Sequence, residues 1–189
     1  MDFTYRRVRI LWIAIAGLLL SACGEIVANP ATVTPEFSFQ QYRNEAAFEM
    51  LYPTTWNFDL IQEGLIAFAH PDALTLDTET LQANVVVFRQ SADPRFTVED
   101  DLTHYLESGP LGAGFVRVDE APQLLVDAPA SASAMVVRDS AENPATSFVI
   151  VARTDSGALY TLTATAPQHG WDFWWPHFQI MLSSVKFNE

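Results

Sequence analysis

The chain is poor in positive charge and nearly without sulfur chemistry. It has 10 basic against 23 acidic side chains in 189 residues, with Lys186 as its one lysine and Cys23 as its one cysteine. Residues 1–22 hold Arg6, Arg7 and Arg9 against Asp2, so the remainder carries 7 basic and 22 acidic groups, a balance of −15. A body this acidic repels phosphate backbones and anionic headgroups, which excludes nucleic-acid binding and flat adsorption on a membrane without a bridging cation. One thiol cannot close an internal disulfide. Also missing are a G-x-S-x-G nucleophile turn, a G-x-x-x-x-G-K-[ST] phosphate loop, an H-x-x-x-H pair and any second cysteine for a metal cage, so the chain is expected not to be an enzyme and to bind no metal. What remains is 49% apolar and 12% aromatic, enough for a packed core and against wholesale disorder.

The thiol has a telling position. Arg6, Arg7 and Arg9 precede the uncharged run "ILWIAIAGLLL", 11 residues long, and Ser21 and Ala22 follow it. Basic head, oily middle and small-residue exit are the three parts of a secretory signal. As a helix the run rises about 17 Å, well short of the ~30 Å hydrocarbon layer, so it does not read as a membrane span. Leu20-Ser21-Ala22-Cys23 resembles the lipobox of bacterial lipoproteins at all four positions. That resemblance implies cleavage before Cys23, a diacylglyceryl group on its sulfur, and further acylation, with chains such as palmitate, at the new amino terminus. Two acyl chains, at ~0.8 kcal/mol per buried methylene, hold a membrane far more firmly than one. The expected location is therefore the cell envelope, on the outer face of the cytoplasmic membrane or on an outer membrane if the host has one. Gly24 stands where an aspartate would signal inner-membrane retention, so which membrane stays open.

Three segments follow: a signal peptide over 1–22, a lipidated tether over 23–40 containing Pro30 and Pro35, and a globular domain over 41–189. In the domain, "AAFEMLYP" alternates Phe48, Met50 and Tyr52 against Glu49. "FDLIQEGLIAFAHP" breaks at Glu63-Gly64 like a hairpin, and "ANVVVFRQ" has the β-branched density of a buried strand. Thr97, with Asp100 three residues on, opens an amphipathic helix to Ser108 with Val98, Leu102, Tyr105 and Leu106 on one stripe. "GFVRVDE", "PQLLVDA", "ASAMVVRD", "TSFVIVARTD" and "ALYTLTATAP" read as strands, with a turn at Asp155-Ser156-Gly157 and a polar hairpin loop at 142–147. A last helix starts near Asp172 or Phe173, so that Pro176 falls in its first turn. Strands, one helix, more strands and a closing helix predict an α+β fold, a mainly antiparallel sheet packed by α-helices.

"FEMLYPTTWNFD" (48–59) is similar to the "F-x-hydrophobic-x-YP-x-x-W" opening of PsbP-like domains, whose bacterial relatives include DcrB-like lipoproteins. "VEDDLTHYL" and the closing "FQIMLSSVKF" fall in the family's order, although Val185 stands where an aromatic is common. The resemblance implies a PsbP-like α/β/α sandwich over about residues 40–189 and a non-enzymatic accessory or assembly factor with a protein partner. It brings no binding residue and no cofactor other than the diacylglycerol on Cys23. A small-ligand or metal-binding envelope protein, with a cleft between sheet and helix, is the alternative.

Few side chains suggest more. His169, Asp172 and His177 lie close in sequence, and the simpler reading is exposed histidines beside a buried aromatic stripe. Asp72, Asp77 and Glu79 lack the alternation of a calcium loop. Glu99, Asp100 and Asp101 suit a helix N-terminus. In "WDFWWPHFQIML", Trp171, Trp174, Trp175, Phe178 and Leu182 fit one buried stripe. Phe173, His177 and Ile180 share a neighbouring face which, if exposed, offers a partner surface.

Overall fold

The computed structural model describes residues 37–70, 82–109, 111, 114–118, 122, 124, 126–139 and 143–188. The signal, Cys23, most of the tether and the Asp72, Asp77, Glu79 segment lie outside them. Ten strands are seen among the described residues: β1 Phe39–Arg43, β2 Phe48–Pro53, β3 Asn57–Gln62, β4 Leu65–Ala69, β5 Asn84–Ser91, β6 Phe115–Arg117, β7 Ala130–Arg138, β8 Ala145–Arg153, β9 Ala158–Pro167 and β10 Lys186–Phe187. Helix α1, Val98–Ser108, follows β5, and α2, Trp171–Ser183, follows β9 through a short 3-10 turn at Gln168–Gly170.

Seven strands form one antiparallel sheet in the order β3-β4-β5-β9-β8-β7-β6, and β1-β2-β10 form a smaller antiparallel one. The α+β class expected from the sequence is what the chain adopts. Strand alternation divides the large sheet into two faces. On the inner face Phe68, Val85, Val87, Phe148, Ile150, Tyr160 and Leu162 join Phe48, Met50 and Trp56 and the α2 residues Phe178, Met181 and Leu182 in the main core. On the outer face Val98 and Leu102 of α1 pack on Ala134, Val149, Val151 and Leu159. β8 and β9 lie under both layers and are buried along nearly their whole length.

Local chemistry accounts for the turns. Gly64 and Gly157 have φ of +77° and +80°, the left-handed region that glycine enters at least cost, at the β3–β4 and β8–β9 hairpins. The Thr97 side chain accepts from the Asp100 N–H at 3.2 Å while the Asp100 carboxylate accepts from the Thr97 N–H at 2.9 Å, the reciprocal box that starts α1.

Several expectations need correction. β5 is half-buried on its outer side: Val85 and Val87 are in the core, whereas Val86 and Phe88 face a region α1 does not reach. The described residues of "PQLLVDA" make only an isolated parallel bridge, Asp127 with Lys186. Ala145–Ser147, expected in a loop, begin β8 and pair with β9. α2 starts at Trp171, so Pro176 stands in its second turn. The lost N–H would have bonded the carbonyl of Asp172, an exposed residue whose carbonyl can turn to water. The tether segment is described from Phe37, and Phe39 and Gln40 are already in β1.

Candidate functional site

The aromatic helix does not present the face that its spacing suggests. Phe178 and Leu182 are fully buried, and Trp171, Trp174 and Trp175 are half-buried against the core. On the neighbouring face Phe173 and Ile180 are exposed, but His177 between them is only 4% exposed. The cause is Phe37, whose ring lies 4.0 Å from the His177 ring and edge-on to Phe173, with Phe39 stacked at 6.5 Å. The expected exposed histidine is thus covered by the segment entering β1. Its Nδ1–H donates to the Phe173 carbonyl at 3.0 Å, and burial pushes its pKa below the usual imidazole range. His169 and Asp172 join no metal-binding group among the described residues. Among the described residues no cluster of three or more His, Cys, Asp or Glu could hold an ion.

A stronger candidate is β3. It is an edge strand of the large sheet, paired with β4 on one side, and all six of its residues are exposed. Three are large and apolar: Phe58 is 49%, Leu60 63% and Ile61 56% exposed. Phe58 and Leu60 lie opposite Phe68 and Ile66, and the register slips between Leu60 and Gln62, so Ile61 is the extra residue of a bulge. Phe58 is held from behind by the rings of Tyr42, Tyr52 and Phe68, at 5.1, 6.0 and 5.9 Å. Such a strand offers unpaired backbone groups and fixed apolar side chains together. A shallow cavity of about 450 Å³ opens beside its first residues, walled by Gln40, Tyr52, Trp56 and Asp59. Trp56 is 1% exposed, and its Nε1–H has no hydrogen-bond partner among the described residues.

The acidic start of α1 holds a feature that sequence spacing could not reveal. Asp100 closes the capping box, which keeps its carboxyl below the ordinary range, but Asp101 accepts from Arg153 of β8 at 2.8 and 2.5 Å. Arg153 also donates to the Asp93 carbonyl at 3.0 Å. This half-buried pair fastens α1 to the sheet. Beyond Tyr105, whose hydroxyl shares a 2.8 Å hydrogen bond with Thr163, the helix leaves a cavity of about 390 Å³ against β4, β5 and β9. A cleft between sheet and helix is therefore present.

No protein-family model matches the chain, and no curated protein sequence matches it. Solved structures do. Mog1p, a Ran-binding protein of Saccharomyces cerevisiae, is similar at a TM-score of 0.56 and 7% identity, over 81% of this chain and 97% of that one. LpqN of Mycobacterium tuberculosis, involved in cell envelope biogenesis, is similar at 0.52 and 9% identity, over 82% and 92%. The cyanobacterial PsbP of Synechocystis has a TM-score of 0.49 at 17% identity, over 79% and 92%. The chain spans about half the length, 48%, of a Bacteroides thetaiotaomicron protein of TM-score 0.47, with 13% identity and 79% of this chain covered. At these identities the likeness to Mog1p and LpqN is one of fold. No helix among the described residues is long and apolar enough to cross a membrane.

Proposed function

We propose that this chain is an extracytoplasmic lipoprotein, held at the cell envelope by acyl chains on Cys23, whose α+β domain is a non-enzymatic accessory or assembly factor for a protein partner. The observation that carries the partner is β3, an edge strand with Phe58, Leu60 and Ile61 open to solvent. An extended partner segment adding beside it would satisfy the free backbone groups and cover those side chains. Asp59 on the same strand and the −15 balance of the chain beyond residue 22 favour a segment that carries lysine or arginine. The fold lends support, since it serves a Ran-binding protein in Mog1p and an envelope-biogenesis protein in LpqN.

Two experiments test the two halves. Labelled palmitate should enter the wild-type chain in a bacterial host and not Cys23→Ser, and label in that variant would end the anchor reading. A photo-crosslinking amino acid at position 60 of the anchored protein should give one discrete adduct, absent when the same group is placed at position 116 on the opposite edge. Equal adducts at both positions would show nonspecific contact and end the β3 reading.

A further inference from the structure

The cavity beside α1 follows from a mismatch of widths. Seven strands at ~4.8 Å spacing span roughly 30 Å, while one helix covers about 10 Å. α1 is spent on β7, β8 and part of β9, where Val98 and Leu102 close the second core. Away from it, outer-face residues should be polar, as Thr165 of β9 is. The neighbouring strands break that rule. Leu65, Phe88 and Thr161 form one cross-strand row, and Val86 lies beside Thr163 in the next. Leu65, Val86 and Phe88 thus make an apolar floor on the solvent side of the sheet, and the α1 residues Tyr105 and His104 make a wall.

The polar groups sort themselves around that floor. Tyr105 has its hydroxyl engaged by Thr163 and so presents its ring. Asp101 is the one carboxylate in the lining, and Arg153 holds it. The side chains of Gln62, Gln90 and His104, at the exposed rim, make no hydrogen bond within the described residues. We infer that this cleft binds a small, uncharged molecule with an apolar, ring-sized body and one hydrogen-bonding group, the body on Leu65, Val86 and Phe88 and the polar group at the Gln90 and His104 rim. The volume, about 390 Å³, lies within the range of small-molecule sites. Neutrality of the ligand follows from the paired Asp101, because a charged body would have to be desolvated with no counter-charge free. This site goes beyond the partner reading and does not depend on it.

A fluorinated indole is a suitable probe, since it combines a neutral apolar ring with one N–H donor. Fluorine NMR titration of the full chain in detergent micelles, with micelles alone as the blank, is expected to give saturable binding at one site per chain. Val86→Trp, which fills the floor, and Ser108→Trp, at the exposed mouth, should each weaken it at least tenfold while the thermal transition is kept. Leu60→Asp should bind as the wild type does, which separates this cleft from the β3 surface. Should Val86→Trp lose its thermal transition, Ser108→Trp alone decides. Absence of saturation above the blank, unchanged affinity in the folded cavity variants, or loss of binding in Leu60→Asp alone would each overturn the assignment.

Discussion

The two faces of the large sheet are built to different standards. The inner face is covered by α2 and by the β1-β2-β10 sheet, and Phe68, Phe148, Tyr160 and Leu162 on it are each buried to 1% exposure or less. The outer face has one helix, a second core of six buried residues, a buried Ser147–Thr165 hydroxyl pair at 2.8 Å and an open cleft. Stability is therefore concentrated on one side, and the surfaces available to other molecules lie on the other side and along β3. Burying both faces equally would leave a sturdier domain with less to offer a ligand.

The sharpest way to break that contrast is to remove matched aromatic rings. Phe178→Ala, on the inner side, should lose about 4 kcal/mol of unfolding free energy through transfer and cavity terms. Phe88→Ala, half-buried on the outer side, should lose less than about 1.5 kcal/mol. Urea melts of the two variants test this, and equal losses would erase the distinction. Next in size is the link between α1 and the sheet: Arg153→Met leaves Asp101 half-buried without its partner and should cost about 3 kcal/mol, part of which Asp101→Leu in the same chain should restore. Thr97→Ala removes the cap of α1 and should cost about 1 kcal/mol in the same assay. Ile61→Asp, in the chain that carries the crosslinker at position 60, should change stability by less than about 0.5 kcal/mol and yet abolish the adduct formed through β3.

The smallest effect at neutral pH belongs to His177, because its imidazole is mostly uncharged there in both states. Its folded pKa is depressed, so the unfolded chain takes up the proton first as the pH falls. The stability that the buried neutral ring supplies is fully present well above the ordinary imidazole pKa and declines as the pH falls through the interval below it. Denaturation midpoints of the wild type and His177→Phe across that interval provide the check. The wild type should lose more, and parallel curves would contradict the assigned burial.

Much of this was readable in the residues. Alternation placed Phe48, Met50 and Tyr52 inward, Gly64 and Gly157 marked the hairpins, and Thr97 with Asp100 marked the start of α1, because each signal acts over a few neighbouring positions. What stayed hidden depends on distant partners. Nothing local tells that Phe37 covers His177, that Asp101 faces Arg153, or that Trp171 can begin a helix with Pro176 in its second turn. The cleft was half legible: "VVVF" in β5 has apolar residues on both faces, which reads as burial under a helix, and only the position of α1 shows that Val86 and Phe88 lie beyond its reach. β3 carried its signal openly in Phe58, Leu60 and Ile61, but that it is an edge is a matter of sheet order.

Gly64 joins these surfaces mechanically. A methyl group on it would sit 2.6 Å from the carbonyl oxygen of Arg89, and the Arg89 N–H reaches back to the Gly64 oxygen at 2.7 Å. The ribbon carrying the solvent-facing edge is thus pressed onto its neighbour at a point that tolerates no thicker residue. Gln62, two positions away, belongs both to that edge and to the rim of the ligand cleft. Replacing one hydrogen by a methyl there would lever the hairpin outward, disturbing the docking strand and the recess together.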